Sequence, residues 1–262
     1  LAPQTRQGLC AAALKLVRAV QYRSAGTVEF LVDEVGTAGA DFYFLEMNTR
    51  LQVEHPVTEL ISGVDLVWAQ IELGRDSAHF RLPCVSEPRG HAIEVRLYAE
   101  DPAQGFIPTP GVVRKLSWPL GPGIRVDSGI EEGQEIQTQF DSMLGKLIVW
   151  GSSREQALAR LRYALQETVI FGLGTNQAYL LALCDHPAVL QGKMDTGFLA
   201  REFGKFSPQP TPKELELLAE LREFKGPGSM RPVAQRAGAQ RAGGESFPFP
   251  SPWDIKHGQR NE

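Results

Sequence analysis

Hydrophobic positions change from a helical to a strand-like period within the first quarter of the chain. Between residues 3 and 20, apolar side chains recur every three or four residues, which predicts an amphipathic helix. Residues 26–34 and 40–48 are rich in aromatic, β-branched and aliphatic side chains and flank a Gly-Thr-Ala-Gly turn, which predicts a β-hairpin packed against that helix. Polar and apolar residues then alternate as far as His55. Because Pro56 follows, and a residue before proline disfavours the helical conformation, we expect an extended arm here rather than an immediate helix.

The rest of the sequence mixes helical and strand-like periods. A helix is predicted from about residue 65 to 73, followed by an aperiodic connection that contains two prolines. A capping box, Ser152-x-x-Glu155, predicts the start of a helix with an apolar stripe, and a further helix is expected at 175–185. Short strands bounded by turns with Pro and Gly are predicted at 92–98, 112–117, 124–127 and 144–150.

These elements predict an α+β protein in three parts. Residues 1–85 combine the hairpin with helices, and residues 86–203 begin with strands and continue with helices. Eight of the eighteen prolines lie beyond Phe206, together with the repeat QRAGAQRAGG. We therefore expect residues 204–262 to be a largely disordered linker with one short exposed helix at 212–224 and the start of a following segment.

Composition narrows the class of protein. The 262 residues are 42% hydrophobic and 22% charged, which is typical of a globular protein. No apolar run is long enough to span a membrane, and no basic and apolar leader opens the sequence, so we expect a cytoplasmic protein without a membrane partner. The formal net charge of −4 comes without a basic stripe, which disfavours nucleic acid as a partner. Cys10, Cys84 and Cys184 are far apart, and we expect buried thiols rather than disulfides or a zinc site.

Two glutamates of the predicted hairpin are the first candidates for chemistry. Symmetric pairing about the turn places Glu29 opposite Glu46, with Asn48 two residues further along the same face. The same pairing places Leu31 opposite Phe44. Like charges that face each other across a sheet repel, so a shared proton, a nearby cation or a divalent metal should compensate. A solvated hairpin that tolerates both glutamates is the alternative.

Six blocks of the sequence resemble the biotin carboxylase family of ATP-grasp enzymes. They are GTVEFL, FYFLEMNTRLQVEHPVTE, GHAIEVRLYAEDP, GFIPTPG, IRVDSGI and FDSMLGKLIVWG. The resemblance runs from about residue 2 to residue 201 and implies the C-terminal part of an ATP-grasp lobe at 1–85, followed by a biotin carboxylase C-terminal α+β domain at 86–203. The closing SPWDIKHG is similar to the segment that joins biotin carboxylase to the rest of an acyl-CoA carboxylase α-subunit, so the chain is expected to be a fragment of such a subunit.

The resemblance implies a reaction and a set of site residues. Enzymes of this family use ATP to phosphorylate bicarbonate to carboxyphosphate and then carboxylate biotin. Carried onto this sequence, the matching positions are Glu29, Leu31 and Glu46 for ATP; Glu29, Glu46 and Asn48 for Mg²⁺ or Mn²⁺; Arg50, Gln52 and Val53 for bicarbonate; and Arg50, Glu54 and Arg125 for catalysis.

The residue types suit the implied roles. The planar guanidinium of Arg50 matches the planar bicarbonate anion in a two-point contact, as a lysine would not. Glu54 corresponds to the general base that deprotonates bicarbonate, and Arg125 to the arginine that stabilises the enolate of biotin. Alternation along the arm places Arg50, Gln52 and Glu54 on one face. For each of these charged residues, a surface salt bridge without a functional role is the alternative.

The resemblance also implies partners. The chain lacks an Ala-Met-Lys-Met biotin attachment signal, so biotin is expected on a separate carboxyl carrier domain or protein, with a carboxyltransferase subunit beyond it. A homodimer through the C-terminal domain is implied near Asp141, although Gln139 stands where the family usually has an aromatic residue. The family's glycine-rich lid and adenine-contacting lysines have no counterpart here, so we expect the isolated chain to be inactive. A non-catalytic module for subunit association and another ATP-grasp ligase are the alternatives.

Overall fold

A computed structural model describes residues 1–33, 36–82, 87–139, 141–207 and 215–216. These residues belong to one compact unit, Leu1–Leu218. The helices are α1 (Pro3–Ala19), α2 (His55–Ser62), α3 (Leu66–Arg75), α4 (Arg154–Glu167), α5 (Gln177–Asp185), α6 (Pro187–Leu190) and α7 (Phe198–Glu202). The strands are β1 (Thr27–Val32), β2 (Phe42–Asn48), β3 (His91–Tyr98), β4 (Glu100–Asp101), β5 (Ile107–Pro108), β6 (Gly111–Val112), β7 (Lys115–Ser117), β8 (Ile124–Ser128), β9 (Glu135–Ile136), β10 (Met143–Gly151) and β11 (Val169–Phe171). This mixture of helices and small antiparallel sheets confirms the predicted α+β class.

Two predictions fall outside the described residues. The domain boundary near residue 86 lies in the gap at 83–86, as does Cys84. The linker and its short helix lie beyond the described part as well, apart from residues 204–207 and 215–216. The division of the chain into three parts therefore stays a prediction.

The predicted hairpin is present, but its register differs from the expected one. Strands β1 and β2 are antiparallel, and Glu29 pairs with Glu46 as expected. Beyond that pair the register shifts by one residue, so Leu31 lies opposite Tyr43, and the expected pairing with Phe44 is wrong. The cause is a β-bulge, in which β2 contributes one residue more than β1.

Helix α1 packs against this hairpin, as its apolar face predicts. The hydroxyl of Thr5 is buried and donates a hydrogen bond of 3.0 Å to the carbonyl oxygen of Thr37 in the turn. Further along the helix, Gly8 lies against the ring of Phe42, where a Cβ atom would come within 3.0 Å of the ring. The missing side chain at this position therefore lets the helix approach the second strand closely.

The arm after the hairpin is shorter than expected. Helix α2 begins directly at His55, so the prediction that no helix starts there is wrong. Pro56 lies in the first turn of the helix, where its missing N–H is not needed for the helical ladder and its fixed φ angle suits the helix. Residues 50–52 precede the helix without forming a strand, and Val53 and Glu54 form a turn.

A three-stranded antiparallel sheet, with β10 between β3 and β8, is the centre of the following region. One face is apolar and packs on α4, as Leu97, Leu147 and Val149 become fully buried against the helix. The predicted stripe of α4 is buried there, at Ala157, Leu158, Leu161, Ala164 and Leu165. The opposite face of the sheet meets α2 and carries charged residues.

Some predicted element bounds are wrong by a few residues. The strand expected at 112–117 is split, because β6 pairs with β9 whereas β7 pairs with β11. The capping box begins one residue later than expected: the Ser153 hydroxyl accepts from the backbone of Gln156 at 3.3 Å, and the Gln156 side chain accepts from the backbone of Ser152 at 2.6 Å. Helix α3 extends through Gly74, which was expected just after its end.

Candidate functional site

The opposed glutamates of the hairpin share a hydrogen-bond donor. The side-chain amide of Asn48 donates to Glu29 Oε1 at 2.9 Å and to Glu46 Oε1 at 3.2 Å. The three predicted metal ligands are therefore in contact at the end of the hairpin. In the absence of a cation, the amide protons offset part of the repulsion between the two carboxylates.

The side chains of Glu29, Glu46 and Asn48 suit a hard divalent ion but are too few to fill its coordination shell. Among the described residues, no group of three or more His, Cys, Asp or Glu side chains could hold a metal ion. The hairpin offers two carboxylates and one amide oxygen, which are the oxygen ligands that Mg²⁺ prefers. Mg²⁺ sites commonly use one or two carboxylates together with phosphate oxygens and water, so this set fits half of a nucleotide-dependent site.

Leu31 lies two residues beyond Glu29 on β1, and 59% of it is exposed. In the described part of the chain, this leucine is therefore not a core residue. Tyr43, Phe44 and Leu45 on the neighbouring strand are also more than half exposed, at 60%, 56% and 53%. Leu31 and Tyr43 are paired across the hairpin and form an open apolar surface on the face that carries Glu29, which is compatible with the predicted adenine contact at Leu31.

The arm brings three predicted bicarbonate-site residues to one cleft. Arg50 Nη1 donates to Gln52 Oε1 at 2.9 Å, so the guanidinium is held along the arm. Arg50, Gln52 and Glu54 line a cleft of about 530 Å³. Its other wall includes Thr27, which pairs with Asn48 in the hairpin, so the cleft lies next to the predicted metal ligands.

Glu54 and Val53 are held by the charged face of the three-stranded sheet. The guanidinium of Arg96 on β3 donates to Glu54 Oε2 at 2.8 Å. The ammonium of Lys146 on β10 donates to the carbonyl oxygen of Val53 at 2.6 Å. Lys146 and Arg96 lie directly opposite each other in the sheet, so one cross-strand pair holds both residues of the turn.

Arg125 lies on the same sheet face but is tied to other partners. Its Nε and Nη2 atoms donate to Asp127 at 2.8 and 3.0 Å, and Nη1 donates to Glu59 of α2 at 2.7 Å. The hydrogen bonds that Arg125 donates to Asp127 and, with a smaller effect, to Glu59 raise the pKa of Arg125, although burial opposes this. For Asp127, burial acts to raise the pKa, but the hydrogen bond and charge of Arg125 outweigh it, so the pKa is lowered.

Glu94 is the most deeply buried charged residue of this face. Its side chain is 3% exposed, and neither carboxylate oxygen has a hydrogen-bond partner among the residues that the structure describes. The nearest cation is the Lys146 ammonium, at 4.0 Å. Burial raises the pKa of Glu94 to about 7, against the lowering effect of Lys146 and Arg96.

Sequence reasoning missed the supporting residues, which are Glu59, Glu94, Arg96, Asp127 and Lys146. A signal for four of them was present. Charged side chains alternate with apolar ones in the strands predicted at 92–98, 124–127 and 144–150, which marks a sheet with one charged face. What this charged face contacts depends on residues that are distant in the chain.

The remaining predictions have mixed outcomes. His55 has a structural hydrogen bond, with Nδ1 at 2.8 Å from the carbonyl oxygen of Gln52. Cys184 is buried, and burial raises its pKa to about 11. Cys10 is exposed, so the prediction of a buried thiol is wrong there, because the residue lies on the outer side of α1. Within the described part of the chain, no helix combines the length and the apolar character that crossing a membrane requires.

Two family models match the chain. Residues 94–201 match the biotin carboxylase C-terminal domain, and residues 1–79 match the ATP binding domain of the carbamoyl-phosphate synthase L chain. Among curated proteins, the alpha subunit of mitochondrial methylcrotonoyl-CoA carboxylase from Mus musculus is 42% identical over 79% of this chain and 28% of its own length. The biotin carboxylase of a Nostoc species is 43% identical over 74% of this chain and 42% of its own length.

A solved structure shows the same fold. The biotin carboxylase domain dimer of Hydrogenobacter thermophilus 2-oxoglutarate carboxylase, in complex with MgADP, ADP and bicarbonate, is 38% identical to this chain with a TM-score of 0.72. The match covers 80% of this chain and 46% of that chain. The chain thus spans less than half the length of each protein compared.

Proposed function

Because the chain belongs to the biotin carboxylase family, we propose that it supplies the metal-binding hairpin and the bicarbonate-binding arm of an ATP-dependent biotin carboxylase. The observation that carries this proposal is the cleft that Arg50, Gln52 and Glu54 line beside the hairpin end with its two opposed glutamates. The reaction is the ATP-dependent carboxylation of biotin by bicarbonate.

Bicarbonate is bound on the arm. The guanidinium of Arg50, held by Gln52, contacts two oxygens of the anion, and Gln52 and the backbone of Val53 provide the remaining contacts. Glu54 accepts the proton from the bicarbonate hydroxyl. The freed oxygen attacks the γ-phosphorus of ATP, the bond from this phosphorus to the bridging oxygen of ADP breaks, and carboxyphosphate and ADP are formed.

Glu29, Glu46 and Asn48 hold the metal that the nucleotide brings, which is Mg²⁺ or Mn²⁺. When bound, this ion neutralises the charge that develops on the phosphate oxygens during transfer. Leu31, in the exposed apolar surface beside Glu29, contacts the adenine of ATP. The hairpin therefore orients the nucleotide, while the adjoining arm orients bicarbonate.

Biotin reaches this cleft on a carboxyl carrier domain, and a carboxyltransferase subunit uses the carboxylated product. Arg125, fixed between Asp127 and Glu59, stabilises the enolate of biotin. The similarity to methylcrotonoyl-CoA carboxylase subunit alpha favours an acyl-CoA carboxylase as the complete enzyme. The same proposal includes a homodimer that forms through residues 86–203. It also includes domain boundaries after residues 85 and 203.

The test is made in the full-length enzyme that contains this chain. With Mg²⁺, ATP and free biotin, ADP release should depend on bicarbonate. Glu54→Gln should lower this release by about 100-fold or more, because the general base is lost, and should leave nucleotide binding unchanged. Glu132→Gln, which changes an exposed glutamate paired with Lys115, is the matched control and should behave as wild type.

Two results would contradict the proposal. A wild-type enzyme whose ADP release is independent of bicarbonate would refute the reaction, and unchanged turnover in Glu54→Gln would remove Glu54 as the base. Self-association in sedimentation experiments without any affinity for Mg²⁺ or nucleotide would favour the non-catalytic module instead.

A further inference from the structure

We propose that Lys146 is a positioning residue for the general base Glu54, an inference that rests on the proposed function. Among the described residues, Lys146 contacts Val53, Glu94 and Asp127 and none of the side chains of Arg50, Gln52 and Glu54. Its ammonium donates to the carbonyl oxygen of Val53 at 2.6 Å, which is the peptide group that leads into Glu54. It therefore acts on the base through the backbone.

The effect of this hydrogen bond follows from the geometry of the peptide group. The carbonyl of Val53, the N–H of Glu54 and the Cα atom of Glu54 lie in one rigid plane. A donor that fixes the carbonyl oxygen fixes this plane and with it the position from which the Glu54 side chain extends. Arg96 then fixes the other end of that side chain, by its hydrogen bond of 2.8 Å to Oε2.

The two contacts are coupled because their donors are neighbours. Lys146 and Arg96 lie directly opposite each other in antiparallel strands, so their side chains extend from the same face of the sheet. Glu54 itself is 53% exposed, and a freely rotating carboxylate at such a position would sample several rotamers. Holding it at both the backbone and the carboxylate leaves one orientation toward the cleft.

Lys146 is itself held in place by two carboxylates, of which one is buried. Its side chain is 11% exposed and lies 3.4 Å from Asp127 and 4.0 Å from Glu94. Removing an ammonium from water is costly unless opposite charges and hydrogen bonds compensate. Among the described residues, Glu94 has no hydrogen-bond partner, so its contribution to holding Lys146 is electrostatic.

The experiment compares bicarbonate-dependent ADP release in the full-length enzyme and three variants. In Lys146→Met, kcat should fall by about 10- to 100-fold, because a misplaced base abstracts the proton less efficiently, while the KM for ATP changes less than about twofold. Lys146→Arg, which keeps a donor for the Val53 carbonyl, should recover most of the lost kcat. Lys115→Met is the matched control, since this exposed lysine pairs with the exposed Glu132; it should match wild type.

A second readout does not depend on activity. Hydrogen exchange at the backbone amides of residues 50–54 should accelerate by about tenfold in Lys146→Met and remain unchanged in Lys115→Met, because one tether of the turn is lost. If Lys146→Met does not fold, as judged by its melting curve, kcat and hydrogen exchange are measured on Lys146→Gln instead, whose side chain is polar.

The outcomes separate the two proposals. If wild-type enzyme releases ADP without bicarbonate dependence, the proposed function fails, and the exchange experiment still decides whether Lys146 fixes the turn. If wild type is active and Lys146→Met retains its kcat and its exchange rates, the positioning role is refuted while the proposed function stands. A parallel loss of kcat and of ATP binding, without rescue by arginine, would also refute the positioning role of Lys146, because that pattern indicates a general structural role.

Discussion

Glu29 faces Glu46 directly across the hairpin, and both carboxylates accept hydrogen bonds from the one side-chain amide of Asn48. Two opposed carboxylates are unfavourable in a sheet unless something offsets their repulsion. The amide of Asn48 supplies part of that compensation, and in the proposed function a divalent ion supplies more of it. The stability of the hairpin should therefore depend on Asn48 and on Mg²⁺ concentration.

Asn48→Ala should lower the free energy of unfolding by about 1–2 kcal/mol, because the repulsion between the two carboxylates is no longer offset. Urea denaturation in the presence of EDTA measures this change. In a Glu46→Gln background the same substitution should cost less, since only one carboxylate remains, and this double-mutant cycle is the internal control. Equal costs in both backgrounds would show that Asn48 does not act through the glutamate pair.

Glu94 should make stability depend on pH. Its pKa is raised from 4.5 to about 7 by burial, so the folded protein binds the proton more tightly than the unfolded chain. The resulting stabilisation is fully present below pH 4.5 and is lost as the pH rises through 7. Glu94→Gln has no titrating carboxyl at this position and should not show this loss. The unfolding free energy of the variant minus that of wild type should therefore increase by roughly 1–3 kcal/mol from acidic pH to pH 8.

The measurement is a series of urea denaturation curves of wild type and Glu94→Gln from pH 5 to pH 8. Glu135→Gln, at an exposed position on β9, serves as the control and should follow the wild-type curve. Several charges face Glu94 and are kept in both proteins: Lys146, Arg96, Glu54 and Asp127. A difference between wild type and Glu94→Gln that stays constant across the pH range would contradict the expectation.

Arg125 should contribute to stability as well as to the proposed biotin site. Arg125→Gln removes the hydrogen bonds to Asp127 and to Glu59, and the Glu59 side chain is 10% exposed. A buried carboxylate that loses its cation is costly, so the free energy of unfolding should fall by roughly 2–3 kcal/mol.

Arg162→Gln is the matched control for that substitution. Arg162 forms an ion pair of 2.9 Å with Asp185, but both side chains are more than half exposed, at 51% and 56%. An exposed pair contributes only about 0–1 kcal/mol. In thermal or urea denaturation, Arg125→Gln should therefore be clearly less stable than Arg162→Gln. The reverse order would show that the Arg125 contacts are not stabilising.

Patterns that are local in the chain predicted most of the elements. The period of the apolar residues was sufficient for α1, for the hairpin and for the strands of the three-stranded sheet, because each depends on neighbours a few residues away. The first and last residues of the helices and strands were less well determined. Pro56 could equally end an extended arm or lie in the first turn of a helix, and the sequence alone does not show which.

The sequence by itself determined that Glu29 and Glu46 oppose each other close to the arm with Arg50, Gln52 and Glu54, because both features arise within one stretch of about thirty residues. Only the tertiary structure decided what holds that stretch in place. Lys146 contacts the carbonyl of Val53 from 93 positions away in the chain. Contacts of this kind depend on how separate elements pack, and the spacing of residues along one strand carries no information about the element that packs on its charged face.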